Sequence, residues 1–421
     1  MLTNDDKALI LLCSHVGISN KEMKPLTLKE WNKLANKIYN SNIKRPENLF
    51  NLSSEELSKE LGLSKFEIEN IQKLLSRSLE IGMELERLYS KGIKVVTRAS
   101  KLYPIKLRKI LKDLAPPVIF YCGNLELANK DGIGVVGSRN IKEEYVEFTK
   151  KLVNKAIDEN LVIFSGGAKG IDDTSEKEAF IQGGEYVSFL ADSLEAKIKK
   201  KDIRDKLSTN RILLMTSNKP DVGFSVGSAM GRNKYIYALS NGTFIIASDY
   251  DKGGTWAGAV ENLKHKWTKS FVRKDIKLKG NKELIKLGCI SVEDIENKNI
   301  TDLLNCKESV MDKSLVSIEQ LGLETVLEIT KKEDEKEIVE NHIINDVNDI
   351  AEKQNNNFDL YYHVIEIIVD AIGNEEKKIE DLSELLNVSK AQLSIWMKRA
   401  EEDKKIKKLL RPVRFVRYDI K

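Results

Sequence analysis

Cysteine is scarce and scattered in this chain. The four residues, Cys13, Cys122, Cys289 and Cys306, never approach a CxxC spacing. That argues against a disulfide framework or a thiolate zinc site and fits a reducing compartment. Histidine is equally thin. His15, His265, His342 and His363 lie apart in sequence, and no Ser-His-Asp order or metal-ligand spacing emerges around them. No apolar run is long enough to cross a membrane. The short one after Met1, in LTNDDKALILLCSHVG, lacks the basic start and small-residue cleavage site of a secretory signal. A cytoplasmic protein is expected, with no membrane contact, metal or cofactor. An excess of one charge is missing too. Lys and Arg number 69 against 65 Asp and Glu, a net charge of +4, so any attraction to polyanions has to be local.

What is present suffices for real cores. Hydrophobic residues make up 41% of the 421, a length that suggests about two to four domains. Residues 1–90 read as a helical domain. Its short helices are joined by Gly-containing turns (HVGISN, ELGLSK), with helix starts at Ser53-Ser-Glu-Glu-Leu57 and at Ser64. The layout is that of a SAM or helix-hairpin-helix bundle, used either to aim a Gly turn at DNA or for packing and protein contact.

From residue 91 the pattern changes. Strand-like runs at 93–96 and 118–121 lead into a core domain that extends to 300. There, apolar strands at 133–136, 161–164, 185–190, 212–215, 242–247 and 270–272 alternate with helix patterns at 141–160, 172–182, 230–239 and 254–264. Such alternation implies right-handed crossovers and an α/β fold, an extended Rossmann-like doubly wound parallel sheet. Residues 301–357 read as a linker, with a mixed-charge run (KKEDEKEIVE) and a polar tract (KQNNN). Residues 358–421 read as a winged helix: helix, turn at Asn387-Val388-Ser389, second helix, and a strand-like end from Val413 to Tyr418. The second helix carries Lys390, Gln392, Ser394 and Lys398 beside the core candidates Leu393 and Trp396. With Arg411, Arg414 and Arg417 nearby, its partner can be DNA or protein.

The chemistry gathers in four loops. Gly137-Ser138-Arg139 follows one strand, and Ser165-Gly-Gly-Ala-Lys-Gly170 follows the next. Glycine lets backbone approach an anion, and a helix N-terminus behind it supplies N–H groups and the positive end of a dipole. Arg139 adds a planar, bidentate donor and Lys169 a point charge. Neither loop ends in GK[ST] or contains GxGxxG, so a Walker loop and a dinucleotide fingerprint are both lacking. Gly231-Arg-Asn-Lys234 reads as the start of a helix, and Gly253-Gly-Thr-Trp-Ala257 as another, at the same edge of the sheet. Trp256 is placed either to stack on a base or to pack. Asp172, Asp173 and Glu176 can act as a general acid, hold a ribose hydroxyl, or cap a helix.

Together these segments resemble the DNA-processing protein A family, also called Smf or DprA. The matching stretches are GVVGSR at 134–139, SGGAKGID at 165–172, GRNKYIYALS at 231–240 and GGTWAGA at 253–259. The chain departs from the family pattern at Glu176, where a His often stands, and at Ala191-Asp192-Ser193, in place of a Gly-x-Gly turn. It departs again in VGFSVGSAM, where a proline-rich segment is usual. The resemblance implies a Rossmann-like core that dimerises, binds single-stranded DNA in a basic pocket, and loads a RecA-type recombinase during natural transformation. A related role in defence against foreign DNA is a variant of that reading. It implies Arg139, Lys169, Arg232, Asn233 and Lys234 as DNA contacts. Gly137, Ser138, Ser165, Gly166 and Gly170 would shape the loops and offer N–H groups to phosphate. No catalytic residue is implied. The competing reading is an enzyme, a nucleotide-processing Rossmann protein of the lysine-decarboxylase-like group with Glu261 of GGTWAGAVE as its acid.

Overall fold

Among the described residues five α-helices precede the first strand: α1 (Asn4–Cys13), α2 (Leu28–Asn40), α3 (Ser54–Leu61), α4 (Lys65–Leu75) and α5 (Ser78–Ser90). Four of them begin in a capping box, a hydroxyl answered by an acid three residues on: Thr3 with Asp6, Thr27 with Glu30, Ser53 with Glu56 and Ser64 with Glu67. The helix starts read at Ser53 and Ser64 are therefore in place. In this computed structural model the described residues are 2–18, 23–293 and 295–306, then 368–369, 371–372, 376–385, 393, 397–398, 400–401, 403, 405–410 and 413–417. Two compact units divide the chain, Met1–Glu328 and Ile329–Lys421.

In the first unit the helices interleave with one sheet. In chain order the elements are β1 (Lys94–Thr97), α6 (Ile105–Leu111), β2 (Val118–Gly123), β3 (Gly132–Val136), α7 (Glu143–Asp158), β4 (Val162–Ser165) and α8 (Ile171–Ile181). Next come β5 (Tyr186–Phe189), α9 (Leu194–Ile198), α10 (Lys201–Leu207), β6 (Ile212–Thr216), α11 (Val226–Leu239) and β7 (Gly242–Ile245). The last are α12 (Gly253–His265), β8 (Lys269–Arg273), α13 (Lys279–Lys286), β9 (Ile290–Val292) and α14 (Ile300–Asn305).

The strand order is β1-β2-β6-β5-β4-β3-β7-β8-β9. From β6 to β9 every neighbouring pair is parallel. At the other edge β2 runs antiparallel to β6, and β1 antiparallel to β2. The expectation of a wholly parallel sheet is corrected there: the two lead-in strands are the sheet's own edge. β9 is an addition that the sequence reading missed, because three residues are too short to show a strand pattern.

Alternation along the strands produces two cores. Ile133 and Val135 of β3 share one with Leu152 of α7, Ala179 of α8 and Leu9 of α1. Val136 of β3 shares the other with Leu107 of α6, Ile236 of α11, Trp256 of α12 and Leu284 of α13. Helices thus cover both faces.

The N-terminal helices are anchored to the sheet by polar contacts as well as packing. Asp6 is buried; one carboxylate oxygen accepts from the Thr3 N–H at 2.9 Å and the other from the Thr97 hydroxyl at 2.6 Å. Arg77 is also buried and donates to the carbonyls of Leu11, Ser14 and Val16, acceptors at and beyond the end of α1 that the helix cannot satisfy itself. No described helix is long and apolar enough to cross a membrane.

In the second unit, a helix over Ile379–Leu385 accompanies an antiparallel pair, β10 (Ile406–Leu410) and β11 (Val413–Arg417). Ile368, Leu382, Leu393, Met397 and Ile406 form its core. The expected linker spans 301–357; residues 301–305 belong to α14, and from 307 it lies outside the described residues, as do the expected turn at Asn387–Ser389 and the side chains of Lys390, Gln392, Ser394, Trp396, Arg411, Arg414 and Arg417.

Candidate functional site

β3 is where the winding reverses. β4, β5 and β6 step away from it on one side, and β7, β8 and β9 on the other. At such a switch point the loops at the carboxyl ends of two neighbouring strands diverge and leave a crevice. A cleft of about 360 Å³ opens here, between the loop after β3, the loop after β7, and the first turns of α11 and α12.

The loop after β3 is fixed on both sides. The Ser138 N–H donates to the Ala247 carbonyl at 2.9 Å, and the Ser138 carbonyl accepts from the Ile171 N–H at 3.3 Å. The Ser138 hydroxyl accepts from the Asn140 N–H at 3.1 Å. These contacts hold Gly137, Ser138 and Arg139 along the cleft wall. They also use the Ser138 N–H internally. Arg139 is exposed, with its guanidinium 4.8 Å from the centre of the Phe224 ring.

The loop after β4 presses against the first. Gly170 has a φ of +89°, and a Cβ there would lie 2.4 Å from the Ser138 carbonyl oxygen. Only glycine permits this approach. Ser165 is buried and donates its hydroxyl to the Val135 carbonyl at 3.1 Å, locking β4 to β3. Glu176 accepts from the Gly167 N–H at 2.9 Å, while Lys197 donates to the Gly167 carbonyl at 3.1 Å. Glu176, at the position where the family often has His, thus supports the loop from within. Lys169 is exposed on this loop, and it is Ala168 that lines the cleft.

α11 supplies the third wall. Its N-cap is Ser225, whose hydroxyl accepts from the Ser228 N–H at 3.0 Å. The helix therefore starts inside VGFSVGSAM, and Gly231-Arg-Asn-Lys234 sits more than a turn inside it. This corrects the reading of that segment as a helix start: a capping serine had been taken for loop. Two positions apart on the helix, Arg232 and Lys234 point to different sides. Arg232 and Asn233 line the cleft and Lys234 does not. Asn233 donates to the Gly254 carbonyl at 2.8 Å and pins the start of α12. Lys234 is half-buried elsewhere, its charge disfavoured by burial and supported by Glu261. Glu261, the acid of the enzyme reading, does not line the cleft, and burial pushes its carboxyl up from the usual range.

Arg232 is the centre of the site. It is 7% exposed, and among the described residues its Nε and Nη1 have no hydrogen-bond partner. Asp172 is the acid closest in charge, but Nη1 to Oδ2 is 3.9 Å, too long for a hydrogen bond. The backbone N–H groups of Ala168 and Gly166 also favour the charged form of Asp172. Burial pushes its carboxyl up to about 6 despite Arg232. Burial likewise pushes Glu176 up to about 7, with Lys197 opposing. An unsatisfied buried guanidinium is costly unless a ligand completes it, and its planar fork matches phosphate oxygens.

Three lining residues were not singled out as ligand contacts from sequence. Lys252, at the N-cap of α12, adds a cation, Asp249 an acid, and Phe224 an aromatic ring. Trp256 is 3% exposed and stands edge-on to Tyr250 at 5.1 Å, so it packs.

The fold and the cleft define a doubly wound α/β protein with a cleft lined by Arg139, Arg232 and Lys252 at its topological switch point. The model of the family described as DNA recombination-mediator protein A matches residues 94–304, and the chain belongs to that family. DNA processing protein DprA of Streptococcus pneumoniae is 32% identical over 153 residues, which is 36% of this chain and 53% of that protein. The Bacillus subtilis protein of the same name is 27% identical over 194 residues, 43% of this chain and 64% of that one. The chain thus spans between about half and two thirds of these curated relatives. The X-ray structure of DNA processing protein A from Streptococcus pneumoniae aligns with a TM-score of 0.53 at 20% identity, over 69% of this chain and 95% of that one. That likeness concerns the fold.

Proposed function

We propose that the cleft holds the backbone of single-stranded DNA and that the protein acts as a recombination mediator without turnover. The observation that carries this is Arg232, buried at the cleft wall with two donors unmet. A phosphate diester supplies the acceptors it lacks. Arg139 and Lys252 line the same cleft, and Lys169 is exposed on the adjoining loop, so a strand leaving the cleft meets further positive charge. Gly137, Gly166 and Gly170 keep the loops close, Ser138 and Ser165 lock them, and Asn233 fixes the opposite wall. Lys234 contributes at most to the surrounding field. Opening onto a narrow crevice suits a single strand, whose phosphates and bases are both free to turn inward, better than a duplex.

The mediator reading extends to partners. In it a RecA-type recombinase receives the strand, a second copy of the chain is the dimer partner, and the cytoplasm is the setting; the family's description as a recombination mediator fits the first of these. The second unit's helix and antiparallel strand pair suit a winged helix that contacts DNA or protein. The test of the central reading is fluorescence anisotropy with labelled oligo-dT across a salt series. Phosphate contact makes affinity fall steeply with salt. Arg232→Gln is expected to weaken binding by at least roughly tenfold, the scale of a charge-assisted pair. Undetectable binding by the parent, or equal binding by Arg232→Gln, overturns the reading.

A further inference from the structure

Phe224 stands exposed at the wall of the cleft that holds Arg139 and Arg232. Asp221–Gly227 covers the end of the β6–α11 connection and the first residues of α11, and every residue in it is exposed. Within it Phe224 lines the cleft while keeping 49% of its surface in water. A large apolar ring held at a cleft mouth forgoes the burial that stabilises others of its kind. The ring is held in place there: the Arg139 guanidinium lies 4.8 Å from its centroid, within the range of a cation–π contact. The other aromatic that lines the cleft, Tyr237, is 1% exposed.

We propose that Phe224 is a stacking platform for one base of the bound strand, which makes it a binding residue rather than loop filler. The inference rests on the single-strand reading above and adds to it a base contact beside the phosphate contacts. Arg139 then acts in two directions, holding the ring and reaching a phosphate. A base attached to that phosphate's neighbouring sugar is brought over the ring. Phe has no hydrogen-bonding atom in its ring, so the contact tolerates every base. A duplex keeps its bases stacked on each other, so it gains nothing from the ring. Phe224 therefore contributes to preference for single strands, whereas Arg232 contributes to affinity for phosphate in any form.

The experiment compares oligo-dT with an abasic oligonucleotide of equal length, using Phe224→Ala, Phe224→Leu and Phe224→Trp in the full chain. Stacking is worth roughly 5- to 100-fold per base when an aromatic is truncated. Phe224→Ala and Phe224→Leu are each expected to lose that factor on oligo-dT and to stay within about twofold of the parent on the abasic strand. Phe224→Trp is expected to match or exceed the parent on oligo-dT only. An equal loss on both strands shows that the ring acts only through Arg139, and overturns the proposal. No loss on either strand overturns it too. In both cases salt-dependent binding of the abasic strand by the parent leaves the single-strand reading standing. A parent that binds neither strand removes that reading and this inference together. Because the ring is exposed, the thermal midpoint of each variant is expected to match the parent, which separates these outcomes from misfolding.

Discussion

Arg232 lies so close against Gly166 that a Cβ on the glycine would stand 1.3 Å from the Arg232 Nη1. The obstacle is the far end of a flexible side chain, so Gly166→Ala is expected to fold and to push the guanidinium from its seat. Binding to oligo-dT should fall by roughly tenfold or more, the scale of losing one charge-assisted pair. Gly170→Ala makes the contrast. There the Cβ would meet the Ser138 carbonyl and the Arg139 Cα at a φ of +89°. Neither backbone atom can yield locally, so a loss of about 2 kcal/mol or more in urea unfolding is expected together with the loss of binding.

The two buried carboxylates set a pH dependence. Asp172 is pushed up to about 6 and Glu176 to about 7, from ordinary values of 3.8 and 4.5. Through that window the folded chain holds protons that the unfolded chain has released. Stability therefore rises as pH falls from about 8 to about 5, and gains nothing further once the unfolded carboxyls also protonate. Glu195 and Glu67 behave in the opposite sense: held at about 2 by their partners, they withdraw stability only as pH falls below the ordinary 4.5. Between about pH 5 and pH 8 burial also lowers the pKa of His15 and His265, which opposes the buried pair, so it is the difference between the parent and Glu176→Gln that reports on Glu176. Urea midpoints across that interval should fall with rising pH for the parent and less steeply for Glu176→Gln. Affinity for oligo-dT should also strengthen toward about pH 5, because a neutral Asp172 no longer competes for Arg232.

The cations named from sequence are expected to separate into classes. Lys234→Ala should bind oligo-dT within about twofold of the parent, since its side chain is outside the cleft. Arg139→Ala should lower the dependence of log affinity on log salt by about 0.7, one phosphate's share for a single strand. Lys169→Ala, on an exposed loop, should act in the same direction and more weakly. A salt series on the three variants decides the order.

Arg77 offers a test away from the cleft. Replacing it with Met leaves the carbonyls of Leu11, Ser14 and Val16 buried without their donor. A loss of about 3 kcal/mol or more is expected from urea unfolding. Oligo-dT affinity of the folded fraction should be unchanged.

Much of this was legible in the sequence, and the misses have causes. β3 and β4 announce themselves because parallel strands buried on both faces are continuous apolar runs, as GIGVV and VIFS show. The helix starts at Ser53 and Ser64 carry their own chemistry in four residues. The cleft's glycines could be read because their loops follow those strands. The role of Lys234 could not, since each position on a helix turns a side chain by about 100° and the letters do not say which side of α11 meets the cleft. Arg232 is on that side and Lys234 is not. Phe224 was hidden because an exposed aromatic and a buried one look the same in a string of letters. That Arg232 would be buried yet unsatisfied depends on Gly166, which lies 66 residues away in the chain.

The Asp6 carboxylate, shared between the cap of α1 and the hydroxyl of Thr97, has a consequence for how the chain stays out of trouble. β1 is the outermost strand of the sheet, and an open strand edge is a template on which chains aggregate. Val95 and Phe120 share their core with Leu9 and Trp31 of the N-terminal helices, so those helices cover the apolar face beside that edge. A chain cut before residue 91 would keep every cleft residue and bare an apolar face next to an open edge. Its failure would be seen first as precipitation.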